Sequence, residues 1–236
     1  YGPHPTQPLG WFKKPMTKVD DFKGLKYRTV GISIDLFTGM GAAVNALPGG
    51  EIVPAMDRGL LDAAEFNNAS SDRLLGFADV SKVCMLQSYH QNAEQLEITF
   101  NKTKFDALPD KMKAIIENGV EAASADMSWK SIDRYSKDYI ELQTKDKVRF
   151  FITPTSILQK QLDVYDQVVD KKSADNPMFK EIVESQKAFA ARTVKWDLDT
   201  NVSRRMAYNH YFAPKRAAAP TTPADKSPAV PAPKKN

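Results

Sequence analysis

An α/β fold is predicted for most of this chain, and three observations predict it. Short apolar runs alternate with segments of helical spacing, and glycines fall at the junctions between them. The ends of two such runs also carry polar side chains, Arg28 and Glu65. Repeated strand and helix units of this kind form α/β domains, whose ligands lie outside the carboxyl ends of the strands.

Residues 1–15 are rich in proline and polar groups and read as an extended connection ending in Gly10-Trp11-Phe12. Thr17 stands three residues ahead of Asp20, which predicts a short capped turn or helix over 17–22. Residues 25–30 form a strand in this reading, 34–40 a helix stopped by Gly41, and 42–47 a second strand leading into Pro48-Gly49-Gly50. A short helix over 53–58 closes at Gly59, and 62–66 is a compact strand. Strands follow at 81–87 and 94–101, the latter from alternation of Glu94, Leu96, Ile98 and Phe100 against polar neighbours. Met112, Ile115, Ile116, Val120 and Ala123 recur at helical spacing in a long helix over 110–142. A strand over 147–152 places Val148, Phe150 and Ile152 on one face, and helices occupy 155–171 and 176–209. The last of these carries a stripe of Phe179, Ile182, Val183, Phe189, Val194, Trp196 and Leu198 that requires a partner surface. Trp129, Tyr135, Tyr139 and Trp196 read as core or interface aromatics. The alanine, proline and lysine composition from 213 onward cannot build a core and predicts disorder.

Composition narrows the function classes. The 236 residues are 42% hydrophobic and 26% charged, ordinary for a soluble globular chain, and no apolar run approaches the roughly 20 residues that span a bilayer. The net charge of +4 is concentrated in the tail, where five Lys and Arg face one Asp, so the body is near neutral. That distribution argues against nucleic acid, whose binding draws on clustered basic side chains. The single cysteine, Cys84, lies in an apolar run and reads as a buried thiol. The opening Tyr1-Gly2-Pro3 carries no start methionine and no signal segment, so a processed product or a fragment is expected.

The candidate chemistry is binding. Arg28 offers a planar fork of donors suited to a carboxylate. Glu65, a poor partner for an acidic ligand, becomes useful if a cation bridges the two carboxylates; the alternative is a capping or ion-paired glutamate. Gly49-Gly50-Glu51 lacks the spacing and terminal Lys-Ser/Thr of a nucleotide loop and reads as a sharp turn at a cleft rim. No catalytic residue is assigned: the sequence holds no His-Glu-x-x-His, no dinucleotide fingerprint and no convincing Ser-His-Asp order.

Gly10-Trp11-Phe12, Leu25-Lys26-Tyr27-Arg28-Thr29, Leu47-Pro48-Gly49-Gly50-Glu51, Asp57-Arg58-Gly59, Asp62-Ala63-Ala64-Glu65-Phe66 and Ser88-Tyr89-His90-Gln91 occur in this order. Together they resemble the periplasmic solute-binding subunit of a TRAP transporter, in the DctP-like branch that handles 2-oxo and 2-hydroxy acids, over about residues 7–196. The resemblance implies a periplasmic-binding-protein-like lobe with long carboxyl-terminal bracing helices, the carboxyl-terminal part of a two-lobe protein whose first βα units are absent. It divides the chain into an extended interlobe connection (1–15), an α/β solute-binding lobe with the start of the bracing helices (16–152), a helical region (153–212) and the tail (213–236). It assigns Arg28 to the ligand carboxylate and implies Na⁺ or Ca²⁺ held by Glu65, Gln7, the main-chain carbonyl of Phe66 and Gln91, the last standing where many relatives carry glutamate. Phe66 also supplies an apolar wall. Asn67 and Asn68 either fix a ligand oxygen or brace the loop, and Tyr89 and His90 lie near the ligand. Periplasmic location, delivery to TRAP membrane subunits and a homodimer through the carboxyl-terminal helix are implied in the same way. An enzyme acting on a 2-oxo acid, through Arg28, Glu65 and His90, and a non-transport interaction module are the alternatives.

Overall fold

Six short strands, β1 (Gly10–Phe12), β2 (Lys26–Arg28), β3 (Ala43–Asn45), β4 (Ala63–Ala64), β5 (Val83–Leu86) and β6 (Arg149–Ile152), join in the order β3-β2-β4-β1-β5-β6 in a computed structural model that describes residues 4–213. β2 pairs in parallel with both β3 and β4, and β5 with β6, while β1 runs antiparallel to β4 and β5. Successive side chains of a strand point to opposite faces, and the two halves of the core follow that rule. Phe12, Tyr27, Ala63, Val83 and Met85 belong to one apolar cluster, and Trp11, Ala64 and Cys84 to the other. Burial on both faces explains why β1, β4 and β5 read as continuous apolar runs, whereas the edge strands β3 and β6 are only partly buried.

Helices cover each face. α1 (Ser33–Gly39) and α7 (Thr155–Asp175) contribute Leu36, Phe37, Ile157 and Val164 to the first cluster. α2 (Gly49–Asp57), α4 (Phe77–Val80) and α6 (Asp110–Thr144) contribute Ile52, Phe77 and Leu142 to the second. β3 lies on one side of β2 and β4 on the other, and the connecting helices α1 and α2 pack on opposite faces. Ligands of such folds bind outside the carboxyl ends of strands at a reversal of this kind, and Arg28 and Glu65 stand at the carboxyl ends of β2 and β4.

Between these elements, a 3-10 turn over Val19–Phe22 is fixed by the Asp21 carboxylate, which accepts from Thr17 N and Oγ1 and from Lys18 N. α3 (Ala69–Leu75) and α5 (Lys102–Asp106) complete the helices of this part of the chain. The strand expected at 94–101 does not form: Glu94 makes one bridge to His4, and 95–100 pair with no strand among the described residues. Leu96, Ile98 and Phe100 are exposed. Alternation without a neighbouring strand leaves the backbone groups without a ladder. The apolar spacing at the start of α6 does mark a helix, yet Met112 and Ile115 are exposed, and the buried positions Ser131, Asp138 and Leu142 lie toward its end. Trp129 is exposed as well, whereas Tyr139 packs on Phe150 at 4.5 Å between ring centroids.

The chain divides into two units, Tyr1–Lys180 and Glu181–Asn236. The second contains most of α8 (Pro177–Thr200) and α9 (Arg204–Phe212), joined where Ser203 caps α9 by accepting from Met206 N at 3.2 Å. The single helix expected over 176–209 is thus two. The tail expected to be disordered lies, from 214 onward, outside the described residues. Among the described residues no helix is long and apolar enough to cross a membrane.

Candidate functional site

Arg28 ends β2 and is buried, 5% exposed. Its Nε donates to Leu47 O at 2.9 Å, and its Nη1 to Glu65 O at 2.8 Å and Glu65 Oε1 at 3.0 Å. Nη2 donates to no protein group among the described residues. Two carbonyls and a carboxylate therefore fix the guanidinium plane and leave one edge for another acceptor. The Phe66 ring lies beside this group, with its centroid 5.9 Å from Arg28 Cζ.

Glu65 follows β4 and is 1% exposed. Burial pushes its carboxyl up from 4.5 to about 7, against the opposing pull of Arg28, and the nearby Asp72 and Glu94 add to the rise. Glu65 is turned to Arg28. Another carboxylate, Glu94, stands beside Gln7 and the loop after Phe66.

Gln7 is 2% exposed; its Nε2 donates to Phe66 O at 2.9 Å and to Glu94 Oε1 at 3.2 Å, and its Oε1 is buried with no hydrogen-bond partner among the described residues. Asn67 Nδ2 donates to both Glu94 oxygens at 2.8 Å, and Gln91 Nε2 to Oε1 at 3.1 Å. Three side-chain amides thus donate to one buried carboxylate, and one of them, Gln7, also donates to the Phe66 carbonyl. Gln91 also accepts from Gln7 N through its carbonyl, at 3.1 Å. The orphaned Gln7 oxygen, the Phe66 carbonyl and the Glu94 carboxylate are hard oxygen donors, the kind that Ca²⁺ and Na⁺ accept. Gln7 turns Nε2 toward the Phe66 carbonyl and Glu94, so these residues fit such a cation, with Glu94 as the carboxylate, once the Gln7 amide is turned over to present Oε1.

Of the remaining expected residues, Asn68 stands beside Asn67, while Tyr89 and His90 contact Gln161, Ser88 and Phe37 rather than Arg28, Glu65 or Glu94. Asn68 caps α3, its Oδ1 accepting from Ser70 N and Ser71 N at 3.0 Å, and its Nδ2 contacts Asn67 Oδ1. Tyr89 is 51% exposed and is held through its main-chain N–H, which donates to Gln161 Oε1 at 2.9 Å. His90 Nδ1 meets Ser88 Oγ at 2.6 Å, its ring lies edge-on to Phe37, and burial lowers its pKa from 6.5 to about 4. It is a neutral imidazole at physiological pH.

Glu94 and Asp72 were not singled out by sequence reasoning. Asp72 is fully buried: Oδ2 accepts from Trp11 Nε1 at 2.8 Å and Oδ1 from Asn67 N at 3.0 Å, so it ties the central strand to the loop that carries Asn67. Burial raises its pKa from 3.8 to about 7 despite those hydrogen bonds. A separate cavity of about 370 Å³ lies beside α6, lined by Trp11, Cys84, Leu142 and Phe150, and shares Gln7 with the cluster around Glu94.

Residues 7–175 match the model of DctP, bacterial extracellular solute-binding protein, family 7. A curated relative, the monocarboxylate 2-oxoacid-binding periplasmic protein of Nostoc sp., is 26% identical over 80% of this chain and 51% of its own length. A TRAP periplasmic solute-binding protein from Colwellia psychrerythraea, solved with bound calcium and pyruvate, is 26% identical with a TM-score of 0.79, over 89% of this chain and 64% of that one. Another from Pseudoalteromonas atlantica, solved with sodium and pyruvate, has the same TM-score at 24% identity, over 89% and 64% of the two chains. This chain therefore spans about half the length of the curated relative and under two thirds of the two solved ones.

Proposed function

The chain belongs to the bacterial extracellular solute-binding protein family 7, the DctP-like TRAP periplasmic family, and from that premise we propose that it captures a small 2-oxo or 2-hydroxy monocarboxylate in the periplasm and passes it to TRAP membrane subunits. The observation that carries this reading is the buried Arg28 at the carboxyl end of β2, whose Nη2 lacks a protein acceptor among the described residues while Nε and Nη1 have theirs. A ligand carboxylate meeting that edge gains a charge-assisted hydrogen bond in a site where little water competes. Because Nε and Nη1 are already fixed, binding costs little further ordering of the side chain.

A cation suits the same reading, since Phe66 O, Glu94 and Gln7 Oε1, the last with its amide turned over from the orientation in which Nε2 donates to the other two, would hold it, with Glu65 committed to Arg28. Bound there, it would neutralise Glu94 and offer positive charge to the ligand carboxylate. The pyruvate and calcium of the Colwellia protein support this chemistry by analogy. No bond is broken in this mechanism, and no enzyme is invoked. The domain division and a homodimer through α8 belong to the same proposal. The interaction-module reading keeps one observation in its favour, the exposed Trp129, Ile132, Met112 and Ile115 along α6.

Isothermal titration calorimetry of the full-length protein with pyruvate tests the proposal. One-to-one binding is expected, with a loss of about a hundredfold or more in Arg28→Ala, since a buried charged hydrogen bond and its preorganisation are removed together. A folded protein that gives no heat with pyruvate, lactate or longer 2-oxo acids would move the interaction-module reading to the front.

A further inference from the structure

Gly49 opens α2, and a Cβ added to it would stand 2.6 Å from Phe66 Cε2, 3.1 Å from Cζ and 3.4 Å from Cδ2. At the next position, Gly50, a Cβ would meet nothing within 4 Å. Neither glycine has the positive φ that disfavours other residues, so alanine suits the backbone at both. The two positions therefore differ in one respect, the Phe66 ring.

Phe66 serves both halves of the site: its ring lies 5.9 Å from Arg28 Cζ, and its main-chain carbonyl accepts from Gln7 Nε2 at 2.9 Å. The turn that carries Gly49 also holds Arg28 directly, through Leu47 O and Nε at 2.9 Å. We infer that Gly49 is a positioning residue: its missing side chain seats the Phe66 ring on the first turn of α2 and thereby fixes both the Arg28 guanidinium and the Phe66 carbonyl. The inference rests on the proposed function for its consequence in binding, since those two groups are where a carboxylate and a cation would be held. Carbon atoms pack at about 3.5–4.0 Å, so a methyl at position 49 forces the ring away by about 1 Å. A displacement of that size is enough to spoil a preorganised polar site.

The experiment is a double-mutant cycle on the full-length protein, Gly49→Ala and Phe66→Leu singly and together, with Gly50→Ala as the steric control. Each variant is read by melting temperature and by pyruvate titration. Gly49→Ala is expected to lower the melting temperature and weaken pyruvate binding about tenfold, while Gly50→Ala leaves binding unchanged and keeps or slightly raises the melting temperature, as alanine does in an open helical position. On the Phe66→Leu background the Gly49→Ala effect shrinks in both readouts, because the clashing ring is gone. The inference is overturned if Gly49→Ala behaves like Gly50→Ala, or if its cost persists undiminished with Leu at 66. A wild-type protein that binds no pyruvate counts against the proposed function instead; absence of Gly49–Phe66 coupling in the melting temperatures would still overturn the seating role.

Discussion

Gly10 shows how much a single backbone position can carry. It has φ +134, and a Cβ there would sit 2.5 Å from the carbonyl oxygen of Ala64, in the strand that pairs beside β1 and leads to Glu65. Only glycine accepts both the dihedral and the approach. Gly10→Ala is therefore expected to destabilise the fold by about 2–4 kcal/mol, read as a lower urea midpoint with an unchanged slope; a midpoint equal to wild type would show that β1 tolerates the extra atom. At this scale the placement of Arg28 and Glu65 at strand ends was legible because each closes a recognisable strand within a motif, whereas Glu65, expected to hold a cation, takes the alternative role of ion partner to Arg28. Glu94 was not legible, since its partners Gln7 and Asn67 lie 87 and 27 residues away and its neighbours mimic a strand. Asp72 was hidden for a related reason. A carboxylate in a polar helix reads as solvated until Trp11, 61 residues upstream, is seen to donate to it.

Helix α3 went unrecognised because Ala-Ser-Ser-Asp-Arg-Leu-Leu has almost no apolar periodicity. Its signals were at its ends: Asn68 as cap and Gly76, with φ 86, as the left-handed stop. Ala69 and Leu75 pack against the second apolar cluster, and electrostatic contacts add to that hold. Arg73 Nε meets Asp146 Oδ2 at 3.0 Å, its Nη1 meets Asp138 Oδ1 at 3.2 Å, and the same guanidinium pairs with Glu141, so one side chain ties α3 to the end of α6. The Arg73 side chain is 29% exposed, which screens each pair and keeps the sum small. Arg73→Ala should cost about 1–2 kcal/mol in chemical unfolding, and the difference from wild type should narrow as salt rises. A salt-independent difference would assign the loss to packing of the Arg73 stem. The strands were read longer than they are, because apolar residues flank each ladder and only two to four residues of each are paired.

Over the whole molecule, the buried titratable groups set how stability varies with pH. Glu65 and Asp72 have carboxyls raised from 4.5 and 3.8 to about 7, chiefly by burial. Between their unfolded and folded values the folded chain keeps two protons that the unfolded chain releases, so both groups make stability fall as pH rises toward 7. His90 works in the opposite sense. Burial lowers it from 6.5 to about 4, so across nearly the same window the unfolded chain holds a proton the folded chain lacks, and stability rises with pH. Two against one leaves a net loss of stability from about pH 5 to 7, with a slope of at most about 1.4 kcal/mol per pH unit. Asp21, held below the usual carboxylate range by hydrogen bonds from Thr17, adds stability that disappears as pH falls below its unfolded value of 3.8. The chain should therefore be most stable in mildly acidic solution. Asp72→Asn removes one of the two descending contributions and leaves Glu65 and His90 nearly balanced, so its melting temperature should be almost flat over the window where wild type declines. Melting curves at half-unit steps of pH from 4.5 to 8 decide the matter; a wild-type melting temperature that climbs toward neutrality would mean that Arg28 keeps Glu65 ionised throughout and that Asp72 does not hold a proton in the fold.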